Sequence, residues 1–181
     1  KKGIWFEAVP YIFDQLIENL YFYSDEKALQ VLLGEQDNIE KDFFISSNDA
    51  ASSSLFKFTN EIIEKGWEGR KVYMKKKIKL KMFKLDTILK KNNISPDEYN
   101  HWIVDLQGSE LLVFKGAEGA LKSCNSISVE VSKVKYYEGG VLWNELVNWL
   151  NEKNFYSTVA SPEKSHTEVL FKKKNFKNIN L

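Results

Sequence analysis

The sequence predicts an α/β domain built on a mostly parallel sheet with helices on both faces. Three observations point there. Short apolar runs of strand length alternate with segments whose apolar residues recur every three or four positions. The run "HWIVDL", residues 101–106, is apolar almost without interruption, as strands buried on both faces are. With 181 residues and 43% hydrophobic content, the chain can bury one sizeable core, so a single domain over residues 1–181 is expected.

The elements follow in order. "GIWFEAVP" reads as a strand ending at Glu7, and Pro10 sits where a first helical residue tolerates its fixed φ and missing N–H. Phe13, Leu16, Ile17 and Leu20 then form the apolar stripe of an amphipathic helix. "ALQVLLGE" and "DFFIS" are strand-like runs bounded by polar turn residues, and "SSNDAASSS" is a loop by composition. Between Lys75 and Lys84, Ile78, Leu80 and Met82 alternate with Lys77, Lys79 and Lys81, the pattern of a strand with one wet face. After "HWIVDL", the segment "SELLVFKGAEGALKS" predicts a helix interrupted or capped near Gly116. "SISVEVS" alternates as a strand, Leu142, Leu146, Trp149 and Leu150 mark a helix, and "FYSTVA", "SPEKS" and "HTEVLF" read as strand, loop and strand.

Composition excludes several classes. Lys and Arg number 26 against 25 Asp and Glu, so no global charge draws the chain to nucleic acid or an anionic membrane. The lysine-rich segment 70–84 is the loudest local signal. It is read as a solvated edge strand whose lysines discourage pairing with other chains, against an alternative nucleic-acid role that lacks interleaved aromatics. Cys124 is the only cysteine, which excludes an internal disulfide and fits a reducing compartment. No apolar run reaches about 18 residues, the length of a membrane helix. The start "KKGIWFEAVP" has neither a signal-peptide core nor an initiator Met. The expectation is a cytoplasmic chain that is a piece of something longer.

Candidate site residues cluster at the carboxyl ends of strands, where open α/β sheets bind ligands. Asp105 and Glu130 end or nearly end two strands expected to be consecutive and parallel, so the two carboxylates are expected to approach one another. Such a pair serves as general base, orienter of a hydroxyl, or ligands for a hard cation such as Mg²⁺; capping of the following turns is the structural alternative. His166 opens the last strand at the same edge and is a further candidate base. His101 and Cys124 open strands at the opposite edge, which argues against a Cys/His nucleophile. Glu7 stands where dinucleotide-type sites place the acid that accepts from ribose hydroxyls, with a solvated carboxylate as the alternative.

"VDLQGSELLVFKGA" resembles the signature of FkbM-type methyltransferases. "WFEAVP", "NDAASSS", "KLDTIL", "SVEVS", "YYEGG" and "NELVNWLNEKNF" are similar to that family's further marks, in the expected order from Gly3 to Phe171. The resemblance implies a Rossmann-like class I methyltransferase sheet with an antiparallel last strand. It implies O-methylation, from S-adenosylmethionine, of a hydroxyl on a sugar or small natural product. Asp105, Glu130 and His166 are then the catalytic candidates, and Glu7, Ala8, Leu32, Leu33 and Gly34 the cofactor side. Ser53, Ser54, Gln107 and Tyr137 fall to the substrate. Core packing stays open for Leu32, Leu33 and Tyr137, as does an ordinary loop for the serines. The family's opening strand and Gly-rich turn have no counterpart before Glu7, so the chain is expected to lack the first strand and helix of its domain. The rival reading is a non-catalytic methyltransferase-like interaction module that has lost its cofactor site.

Overall fold

A computed structural model of the chain describes residues 2–66 and 69–174. The strands are β1 (Gly3–Glu7), β2 (Glu26–Gln30), β3 (Leu32–Leu33), β4 (Ile39–Ser46), β5 (Met74–Phe83), β6 (His101–Val104), β7 (Ser126–Ser132), β8 (Phe155–Ser157) and β9 (His166–Lys173). The helices are α1 (Pro10–Leu20), α2 (Asn60–Lys65), α3 (Leu85–Lys91), α4 (Glu110–Lys115) and α5 (Trp143–Glu152).

The strands form three sheets. In one, β1 pairs with β2 in parallel; in the next, entered from β2 through Val31, β5 lies between β3 and β4, and these two make the first half of the fold. The third sheet, the second half, has the order β6-β7-β9-β8. Pairing is parallel in β1–β2, β3–β5 and β6–β7 and antiparallel in β4–β5, β7–β9 and β8–β9. The expected antiparallel last strand is present, but the sheets are mixed rather than mostly parallel. A parallel return needs a crossover, usually a helix packed on the sheet. Between β4 and β5 the described helix is only the six-residue α2, and a loop alone joins β8 to β9.

The register places the side chains that matter. In β7, Ile127, Val129 and Val131 are buried while Ser126, Ser128, Glu130 and Ser132 point the other way, as the two-residue period of a strand requires. The buried row packs with Phe114 of α4 and with Trp143, Leu146 and Leu150 of α5 into the largest core cluster. On the opposite face Ile103 of β6 is 74% exposed, so no described helix covers that part of the sheet. Helices on both faces are realised only in the first half, where Leu32 packs with Ile12 of α1 and Leu33 with Leu85 and Leu89 of α3 and Val113 of α4.

β1 and β6 each pair on one side only among the described residues. Ile4 and Phe6 of β1 meet Trp102 and Leu106 over the same helical layer, so the two halves share a core although their facing edges exchange no ladder bonds. The sheet therefore opens beside Asp105.

Over Met74–Lys81 the lysine-rich strand β5 pairs with β4 alone, an edge as expected, and only Met82 and Phe83 pair on its other side, with β3. Lys77 pairs with Asp42 at 2.8 Å and Lys79 with Glu40 at 2.7 Å across to β4. "ALQVLLGE" divides at Val31, and α4 stops at Lys115. The stop has a packing reason: a Cβ on Gly116 would lie 1.9 Å from the carbonyl oxygen of Gly34, so only glycine permits this approach of two backbones.

Candidate active site

β6 ends at Val104, and the chain turns sharply before α4. Gln107 (φ +53°) and Gly108 (φ +96°) both take left-handed conformations there. Glu110, 3% exposed, holds this turn: its Oε1 accepts the N–H of Leu106 at 3.1 Å and of Gly108 at 3.0 Å. Ser54 donates its hydroxyl to the Gln107 carbonyl at 2.7 Å, and Val141 N donates to the Gly108 carbonyl at 3.0 Å.

The turn carries the side chain of Gln107 to the centre of a polar network. Its Nε2 donates to Asp105 Oδ1 at 2.5 Å and to Glu130 Oε2 at 2.9 Å, while Tyr137 donates its hydroxyl to Gln107 Oε1 at 2.6 Å. On the far side of Glu130, His166 Nε2 lies 2.7 Å from Glu130 Oε1. The antiparallel return of β9 produces that contact, since it brings His166 opposite Ser132 at the carboxyl end of β7.

Charge is distributed unevenly over this network. Burial, and then the hydrogen bond and charge of Glu130, push the Asp105 carboxyl up to about 6. More than a third of Asp105 faces the open cleft, so water softens the burial contribution and the neighbouring carboxylate is the firmer cause. Burial also pushes Glu130 upward, but hydrogen bonds from His166, Asp105 and Gln107 outweigh it and hold Glu130 below the usual carboxylate range. The hydrogen bond to Glu130 raises His166 against the opposing effect of burial. The pair thus keeps its more basic carboxylate at Asp105 and a charge-balanced Glu130–His166 contact behind it.

Asp105 and Gln107 border a cleft of about 240 Å³ together with Glu7, Ala8, Leu32, Leu33 and Ser53. Phe6, Ile12 and Phe43 make one part of its wall apolar. Residues separated widely in sequence are therefore gathered in one place. Glu7, whose carboxyl is raised by burial, accepts the Val9 N–H at 2.6 Å. Gly34 lies outside the cleft lining and packs against Met82. Ser54 is 1% exposed and spends its hydroxyl on the turn, and Tyr137, 4% exposed, reaches Gln107 rather than the cleft. Gln107 borders the cleft and at the same time spends its amide on the two carboxylates. His101 bonds Ser126, and Cys124 is fully buried, its thiol pushed up to about 12. Neither approaches the network. No group of three or more His, Cys, Asp or Glu able to hold a metal ion occurs among the described residues.

Two features escaped the sequence reading. Glu110 was assigned no role, although an acid immediately ahead of the apolar run "LLVF" is the kind of carboxylate that turns inward to satisfy backbone N–H groups. Asp49 and Ala50, which border the cleft, both have positive φ, a backbone state that their residue types do not announce.

No described helix is long and apolar enough to cross a membrane. No curated protein and no solved structure matches the chain. The profile of the methyltransferase FkbM domain matches residues 1–156, and with it the turn, both carboxylates and most of the cleft: the chain belongs to the FkbM methyltransferase family.

Proposed function

We propose that the protein methylates a hydroxyl group of a small molecule or glycan, with S-adenosylmethionine as methyl donor, in the cleft beside Asp105. The observation that carries the reading is the placement of Asp105, open to the cleft in front and tied through Gln107 to Glu130 behind. The residues present fit the cofactor. Glu7 offers a carboxylate at a strand end for ribose hydroxyls, beside Ala8, and Leu32, Leu33 and Phe43 offer apolar surface for a purine.

S-adenosylmethionine, when bound, supplies an activated methyl group on a sulfonium. The chain itself has to hold an acceptor hydroxyl in line and take its proton. Asp105 is the residue for that task, because its carboxyl titrates close enough to neutrality to be both ionised and basic. Gln107 fixes its orientation, and the charge-balanced Glu130–His166 contact stands behind it. Ser53, in the cleft lining with its hydroxyl accepting the Ser46 N–H, would contact the acceptor. Mg²⁺ has no part in this reading. The open edges of β1 and β6 are best completed by a further strand of the same domain, encoded upstream, which would close the cleft on that side. Cytoplasmic location belongs to the same reading. The non-catalytic interaction module is disfavoured because it gives no reason for a buried network centred on a cleft-facing acid.

Replacing Asp105 by Asn tests the assignment. The side chain is nearly isosteric but takes up no proton, so turnover on a panel of hydroxylated sugars and small alcohols should fall by about 10²–10⁴ while cofactor affinity changes little. Wild-type turnover should also rise with pH through about 6, as Asp105 ionises. Full activity in Asp105→Asn would defeat the role of Asp105.

A further inference from the structure

Glu110 is nearly inaccessible and stays outside the cleft lining, so the chemistry proposed above gives it no task. Its one carboxylate oxygen nevertheless accepts the N–H groups on both sides of Gln107, those of Leu106 and Gly108. The residue between them has a left-handed backbone, which a side chain with a Cβ avoids unless its surroundings impose it. The same residue projects the amide that bridges Asp105 and Glu130.

We propose that Glu110 is a positioning residue, fixing the backbone on either side of Gln107 and so holding the Gln107 amide against the Asp105–Glu130 pair. The functional meaning of this clamp rests on the methyl-transfer reading, but its physical content does not. Removal of the carboxylate frees the two N–H groups and lets Gln107 leave its left-handed conformation. Asp105 and Glu130 then lose their shared donor. The groups that face Asp105 are Gln107, Glu130 and His166. Loss of the Gln107 donor, which favours the ionised carboxyl, moves the Asp105 midpoint upward.

The test is a carboxyl carbon NMR titration of Asp105 in Glu110→Ala and Glu110→Gln, with the signal assigned by its loss in Asp105→Asn. Both substitutions remove the Glu110 charge, and only Gln keeps an acceptor for the two N–H groups, so their difference isolates the clamp. The Asp105 midpoint is expected to lie about half a pH unit or more higher in Glu110→Ala than in Glu110→Gln. Equal midpoints in two folded variants would overturn the proposal, whatever happens to their melting temperatures. If Glu110→Ala does not fold, Glu110→Asp replaces it, keeping the charge but falling one methylene short of the N–H groups. Its Asp105 midpoint is then compared with wild type, where a rise supports the clamp and no change overturns it. Failure of the chain to bind S-adenosylmethionine would leave this result unaffected, so the two ideas fail separately.

Discussion

Glu110 also gives a prediction about stability that can be worked through in numbers. Burial, relieved only in part by the N–H groups it accepts, pushes its carboxyl up to about 7 from the ordinary 4.5. A folded state that raises a carboxyl's affinity for its proton is favoured at low pH. That advantage is complete below the unfolded value and is lost as pH climbs from 4.5 toward 7. At about 1.4 kcal/mol per pH unit, the loss is on the order of 3 kcal/mol by pH 8. Glu110→Gln carries no charge at any pH and keeps a carbonyl for Leu106 and Gly108. Whatever constant cost the amide brings, the stability of Glu110→Gln relative to wild type should therefore improve by on the order of 3 kcal/mol between pH 4.5 and pH 8. Urea unfolding followed by tryptophan fluorescence across that range measures it. A difference between the two proteins that stays flat with pH would refute the reasoning, because it would mean that Glu110 ionises as it does in water.

Further outcomes follow from other parts of the molecule. Replacing Lys77, Lys79 and Lys81 by Gln should lower solubility and leave cofactor binding intact, since they lie outside the cleft lining and Lys77 and Lys79 form solvent-exposed pairs with Asp42 and Glu40. Micromolar binding of RNA to the wild type near 150 mM salt, lost in that variant, would contradict this. The further strand proposed above, joined to the chain, should slow amide exchange along the open edges of β1 and β6, and unchanged exchange there would count against it.

Much of this architecture was legible because local patterns and tertiary packing agree. Ile127, Val129 and Val131 alternate in the sequence and are the buried row of β7, and "SPEKS" does return the chain so that His166 meets Glu130. The approach of Asp105 to Glu130 followed from two strand ends on one edge. What was not legible depended on long-range pairing. The lysines of β5 do lie on an edge, but that Lys77 and Lys79 pair with Asp42 and Glu40 is not written locally, although the alternating charges of "IEKDF" complement them. The role of Gln107 was hidden for a different reason. A glutamine gives no sign that it will adopt positive φ, and that single backbone state aims its amide at two carboxylates. The helix end near Gly116 was legible, and the structure adds its packing reason, whereas the division of "ALQVLLGE" at Val31 has no mark in the sequence.

Calorimetric titration of the protein with S-adenosylhomocysteine, for wild type and Glu7→Gln, tests the central claim most directly. The cleft beside Asp105 should bind the nucleoside with one site per chain. Glu7→Gln should weaken binding by about tenfold or more, the effect of replacing a charged acceptor of ribose hydrogen bonds by a neutral one worth about 1.5 kcal/mol less. Equal affinity in the two proteins would remove Glu7 from the site, and no binding by the folded wild type would contradict the account of this cleft as the seat of methyl transfer.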